Sequence, residues 1–274
     1  MERLAPLLGR TLVIVAHPDD EAVGCGAIIQ RMREPLVLFA TDGAPRGRYF
    51  WDKFSSREEY AHVRREEARR ALGELGVSTL HFLAPLDDPD NPFVDQDLFL
   101  NIPKALEALS EIVANMRPDA LLTLAYEGGH PDHDTCAFLT WWIAREHVLP
   151  AWEMPLYHRS VDGTSARQEF MIPEGGEVLV DATLDEVERK RRAIRQYVSQ
   201  GDIMAWFNPA IERLRPQAAY DFSRPPHPGL LNYEAWQWPV TGSQLVQAFQ
   251  CCIDCHLHPQ EEPQQPGAAI KGLA

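Results

Sequence analysis

Apolar residues fall in short unbroken runs through the first two-thirds of the chain. Leu12-Val13-Ile14-Val15-Ala16 and Ala120-Leu121-Leu122-Thr123-Leu124 are two of them. Runs this short, bounded by polar loops, predict strands near 11–16, 35–41, 78–83 and 119–125, with weaker candidates at 153–159 and 177–181. Between them apolar positions recur at helical spacing, which predicts helices near 21–33, 56–76, 97–116, 133–147 and 183–200. Within 56–76, Tyr60, Val63, Ala68, Ala71, Leu72 and Leu75 fall close to one face, and Gly76 supplies a stop. Strand–helix alternation points to an α/β fold: a Rossmann-like, mostly parallel sheet with helices on both faces. Such sheets bind ligands beyond the carboxyl ends of their strands, at a topological switch point.

After Gly201 the texture changes. Residues 206–239 carry many prolines and aromatics, among them Trp206, Pro225, Pro226, Pro228, Trp236 and Trp238. The expectation is a domain over 1–200, an irregular extension over 201–258 packed on it, and a disordered tail over 259–274, rich in Pro, Gln, Gly and Ala.

The polar residues that follow the two apolar runs carry chemistry. His17-Pro18-Asp19-Asp20 follows the first, and His130-Pro131-Asp132-His133 follows the second. Two strand ends thus carry short loops of metal-ligand residues. A catalytic divalent cation such as zinc takes three protein donors and one open position. A tight turn can aim His17 and Asp20 at one point. A helix N-terminus near Glu21 would keep Asp20 ionised. The bland alternative makes Asp19 or Asp20 a mere N-cap. A lone histidine is more often structural than a ligand, but two such loops at neighbouring strand ends are hard to assign to coincidence.

Composition narrows the partners. A net charge of −14 over 274 residues argues against a nucleic-acid backbone or an anionic membrane as the main partner. The N-terminal apolar stretch is interrupted by Arg10 and is too short to span a bilayer. Five cysteines without disulfide-framework spacing fit a reducing compartment, so the cytoplasm is the expected location.

The two histidine motifs together resemble the PIG-L/LmbE family of zinc-dependent N-acetylglucosaminyl deacetylases. Arg64-Arg65-Glu66-Glu67-Ala68 through Leu75-Gly76-Val77, and Lys190, Ala193, Ser199 and Gln200, are similar to further family motifs, and the resemblance covers roughly residues 10–200. It implies one Zn2+ per chain, or another divalent ion such as Fe2+, held by His17, Asp20 and His133. It makes Asp19 the general base, and a protonated His130, held by Asp132, the group that stabilises charge on the carbonyl oxygen. Arg64 becomes a substrate contact; the alternative is a solvated helix charge. The implied reaction removes an acetyl group from an N-acetylglucosamine-type sugar or glycoconjugate through a metal-activated water. An amidase acting on a thiol conjugate or other N-acyl amide is the near alternative, and a non-catalytic metal- or sugar-binding module the distant one. Some relatives carry a tyrosine where Gly128 stands here; Tyr126 could substitute only if the Gly128-Gly129 loop bends back.

Other signals are weaker. Tyr49-Phe50-Trp51 lie in a long loop after the second strand, and either line a substrate pocket or close over the loop's own core. His158 reads as structural and His227 as part of a surface turn. Cys252-x-x-Cys255-His256-x-His258 is half of a zinc motif without a partner. Gly24-Cys25-Gly26 lacks the third glycine of a dinucleotide fingerprint and reads as close helix–sheet packing.

Overall fold

The computed structural model describes residues 2–85, 88 and 90–257. Nine strands run β1 Arg10–Val15, β2 Glu34–Phe39, β3 Thr79–Phe82, β4 Ala120–Leu124, β5 Ala151–Met154, β6 Tyr157–Arg159, β7 Ser165–Arg167, β8 Val178–Leu179 and β9 Arg213–Pro216. The helices are α1 Asp20–Cys25, α2 Arg57–Leu75, α3 Ile102–Met116, α4 Pro131–Glu146, α5 Leu184–Gln196, α6 Gly201–Met204, α7 Asn232–Ala235 and α8 Gly242–Leu257. Seven strands form one sheet in the order β3-β2-β1-β4-β5-β9-β8. The first five pair in parallel; β9 and β8 add antiparallel. β1 and β4 are buried along nearly their whole length, as apolar runs covered on both faces must be. Helix α5 contacts both α1 and α2, while α3, α4 and α8 contact one another, giving two helical layers about the sheet. The strand order reverses direction between β1 and β4, which is the switch point. Among the described residues no helix is long and apolar enough to cross a membrane.

Most expected elements form. Ser56 caps α2 by accepting the Glu59 N–H, and Gly76 ends it in the left-handed conformation at φ 79°. Thr183 and Glu186 make a reciprocal capping box on α5. Two expectations change. The helix expected over 21–33 stops at Cys25 and resumes as a 3-10 turn at Ile28. Glu212, buried and 185 residues away, accepts the N–H groups of Ala27 at 2.5 Å and Ile28 at 3.0 Å, drawing the backbone out of the helical pattern. The weak strand at 153–159 divides into β5 and β6, in different sheets. The segment after Gly201 is also less irregular than expected, since β9 joins the main sheet and α8 packs Phe249 and Cys252 into the core. His256 and His258 of the Cys/His motif have side chains outside the described residues, as does the tail expected over 259–274.

Lys190 explains itself through Glu212. Its ammonium, fully buried, donates to Glu212 Oε1 at 2.8 Å. Removing one member of such a pair strands the other charge. Lys190→Ala is therefore expected to lower unfolding stability by about 3–5 kcal/mol, and the paired change Lys190→Met with Glu212→Gln by much less. Urea denaturation measures both; equal losses would show that charge balance is not what holds this corner.

Candidate metal centre

Parallel pairing of β1 with β4 brings the two histidine loops together. The His17, His130 and His133 rings lie with centroids 4.3, 5.3 and 5.0 Å apart. All three are buried, and with them Asp19, Asp20, Asp95 and Asp132.

Local backbone bonds aim these side chains. Asp20 Oδ2 accepts the His17 N–H at 2.8 Å, folding the His-Pro-Asp-Asp turn back on itself. This holds Asp20 Oδ2 3.5 Å from His17 Nδ1, while Asp20 Oδ1 stands 3.3 Å from His133 Nε2. Two donors each at a tetrahedral zinc bond length are separated by roughly 3.3 Å. The other His17 nitrogen, Nε2, is 3.1 Å from Asp132 Oδ2 and 3.3 Å from Asp95 Oδ1, so the ring turns Nδ1 toward Asp20. Among the described residues neither ring nitrogen of His133 has a hydrogen-bond partner. A buried imidazole left so, beside a carboxylate at ligand spacing, fits a cation between them. Two wider donor groups are also within reach of one ion: His17, His130 and His133, and His17, Asp95, His130 and Asp132.

Charge balance matches this arrangement. Burial works against a proton on His17, yet Asp95, Asp132 and Asp20 outweigh it and raise its pKa well above the usual range. Burial likewise opposes ionisation of Asp20 and Asp95, but the facing histidines hold both carboxyls well below theirs.

Asp19 is placed differently from Asp20. Its backbone sits at φ 137°, a conformation that costs energy in a non-glycine residue and persists only where the surroundings impose it. Its N–H donates to Glu21 Oε2 at 3.2 Å, and Glu21 in turn accepts the Tyr197 hydroxyl at 2.5 Å. The Asp19 side chain makes no helix cap. Instead Oδ2 accepts Arg64 Nη2 at 3.1 Å. Burial pushes the Asp19 carboxyl upward, and Arg64 pulls it back.

Arg64 is buried, which overturns the solvated-charge alternative. It also donates to Pro18 O, Gly43 O and the Tyr60 hydroxyl, and Gln200 donates to that same hydroxyl at 2.6 Å. Ser199 binds Glu67 through both its N–H and its hydroxyl. The motif residues on α2 and after α5 thus brace the turn that carries Asp19.

His130 departs from expectation. Its Nδ1 accepts the Asp132 N–H at 3.1 Å, and burial, with His17 next, pushes its pKa down to about 4. Both features favour a neutral imidazole over the protonated one that the resemblance implies. The Asp132 carboxylate is spent on His17 and on the N–H groups of Gln96 and Leu98, and Asp95 is the carboxylate that faces His130 Nε2, at 3.5 Å. Sequence reasoning missed Asp95. The only signal was an acidic stretch, Asp88 to Asp95, at the carboxyl end of the third strand.

Tyr126 does not replace the absent tyrosine. Its hydroxyl donates to Arg224 O, and its ring packs on Tyr220 and Phe222. Tyr157 lies closer, with its ring 5.3 Å from His133. Glu127 sets that position by accepting the Leu156 and Tyr157 N–H groups and pairing with His158, whose role is structural as read. Gly129 permits the approach, since a Cβ there would lie 1.9 Å from Tyr157 O. Of the three loop aromatics, Trp51 folds back to Pro45 O, while Tyr49 and Phe50 border a cavity over the cluster. Cys252 is buried in the core and Cys255 is exposed. Gly24 lies against Met154, as its close-packing reading requires.

Residues 12–144 match the model of the PIG-L family, GlcNAc-PI de-N-acetylase. A probable N-acetyl-alpha-D-glucosaminyl L-malate deacetylase 2 of Bacillus subtilis is 31% identical over 46% of this chain and 56% of its own length. The diacetylchitobiose deacetylase of Thermococcus kodakarensis is 31% identical over 72% of each chain. A solved deacetylase from the teicoplanin biosynthetic pathway superposes with a TM-score of 0.59 at 18% identity, covering 76% of this chain and 97% of its own, and so shares the fold. With the motifs of that family gathered at its switch point and a relative matched at this level over most of its length, the chain belongs to the PIG-L family.

Proposed function

We propose that the chain is a metal-dependent N-deacetylase that releases acetate from an N-acetylglucosamine-type sugar or glycoconjugate. The observation that carries this is the pairing of two unlike carboxylates on one turn. Asp20 stands at ligand spacing from His17 and His133, and Asp19 beside it is held off by Arg64. Simple binding of a metal or a sugar requires no second carboxylate on a strained backbone. The named relatives act on N-acetylated amino sugars, which favours such a sugar over a thiol conjugate.

In this reading His17 Nδ1, Asp20 and His133 Nε2 hold one ion, zinc or ferrous iron. That ion, when bound, polarises the amide carbonyl and makes water a better nucleophile. Asp19 takes the proton from the attacking water, and the amine nitrogen receives a proton, from Asp19 or His130, as the C–N bond breaks and acetate is released. Arg64 positions Asp19 and keeps it from turning toward the ligand set. His130, neutral and with Nε2 directed toward the cluster, donates a hydrogen bond to the carbonyl oxygen as charge develops there. Asp132 fixes the His17 ring, leaving Nδ1 for the ion.

His17→Ala, Asp20→Ala and His133→Ala are each expected to lower metal content sharply in elemental analysis of purified protein. Stoichiometric metal in all three variants would sink the ligand set. Asp19→Asn is expected to keep its metal and to lose about 10²–10⁴ in kcat on an N-acetylglucosaminide. Wild-type kcat in the metal-replete variant would refute the base role, and lost metal would mean that the two aspartates exchange roles.

A further inference from the structure

The charged cluster is the floor of a cavity of about 830 Å³. That volume lies in the upper part of the range of roughly 300–1,000 Å³ in which pockets bury drug-sized ligands, and exceeds the need of one amino sugar. Above the floor aromatic rings build one stretch of wall, while Asp52, Lys53, Gln200 and Asp202 belong to the rest of the lining. Tyr157 leaves His133, and Trp238 leaves His130 with ring centroids 4.9 Å apart. From there Trp236, Trp206 and Phe207 continue the wall outward, and Phe50 faces Trp238 from the opposite side. Trp206 and Trp236 keep 42% and 41% of their surface exposed. Large apolar surface left wet inside a concavity marks a place where a ligand removes it from water.

The angles between these rings say what kind of ligand. Tyr157 meets Trp206 at 88° and Phe207 at 52°; Trp236 meets Trp238 at 49°, and Phe50 meets Trp238 at 78°. None of these neighbouring pairs extends a common plane. The inclined rings themselves form a curved cup that can close around a bulky apolar group, and the polar lining residues remain for the sugar. All but Phe50 also lie beyond residue 144, where the family match ends. The matched segment supplies the charged floor, and the remainder of the chain supplies most of the aromatic wall.

Resting on the deacetylase reading, we propose that the substrate is an N-acetylglucosaminide with an apolar aglycone, and that the cup formed by Tyr157, Trp206, Phe207, Trp236, Trp238 and Phe50 binds that aglycone. The sugar then sits between cup and floor, with its acetamido group on the charged cluster.

The test uses the metal-loaded full chain with the methyl, hexyl and 2-naphthyl N-acetylglucosaminides and with diacetylchitobiose. Calorimetry follows binding of the matching free-amine glucosaminides. KM for the hexyl and naphthyl substrates is expected about tenfold or more below that for the methyl glycoside and for diacetylchitobiose. Trp236→Ala and Trp206→Ala should each erase most of that difference; Leu184→Ala, at an exposed position on α5, should retain it. A KM independent of the aglycone, or a second sugar preferred to hexyl, would overturn the proposal. If no N-acetylglucosaminide is turned over, the deacetylase reading fails by itself. Tighter binding of hexyl than methyl glucosaminide, lost in Trp236→Ala, would then still support the cup, and equal binding would overturn it.

Discussion

β1 and β4 lie side by side at the centre of the sheet, paired through Thr11–Ala120, Leu12–Leu121 and Val13–Leu122, although more than a hundred residues separate them in the chain. Both strands run in one direction, so the loops that leave them open on the same edge. That pairing alone brings His17 within 5.3 Å of His133, ring to ring. The apolar runs that build the two strands are consequently as necessary to the site as the histidines. A parallel sheet buried on both faces tolerates register slip poorly, because a shift of one residue would send every side chain to the opposite face.

The second constraint is electrostatic. Four carboxylates and three imidazoles share one dry volume, and each charge there must be paired or neutralised. The protein separates neighbours in sequence by giving them different partners. Asp20 faces the histidines and ionises readily; Asp19 faces Arg64 and is pushed the other way by burial. The strained backbone at Asp19 is what allows adjacent residues to point in different directions, and the Glu21–Tyr197 pair helps to impose it. Residues on α2 and after α5 that never reach the cluster take part through Arg64, Tyr60 and Gln200.

The segment after Gly201 joins the sheet to the cavity wall. β9 brings Arg215 onto Glu153 and Glu212 onto Lys190, two buried pairs that anchor the segment to the sheet and to α5. Anchored there, it carries Trp206, Phe207, Trp236 and Trp238 over the charged floor. A rigid attachment fixes the shape of the cavity wall, while the wall residues themselves keep surface available for a ligand.

The sequence by itself determined strands β1 to β4, the switch point and the two histidine loops, because each is encoded locally: an apolar run long enough for a strand, followed in β1 and β4 by a motif with its own turn. The helix stop at Gly76 was legible for the same reason. What only the tertiary structure decided depends on partners distant in the chain. Glu212 ends the helix after Cys25 by capturing two N–H groups. Asp95 enters the cluster from a loop with no motif, and Asp132 turns to His17 rather than to His130 because the N–H groups of Gln96 and Leu98 hold it there. Tyr126 faces the core and Tyr157 the cavity, a choice made by packing against α8 and by Glu127. Periodicity and spacing report what a residue's neighbours in the chain impose. The direction of a buried side chain is set instead by whichever distant groups satisfy its charge and its hydrogen bonds.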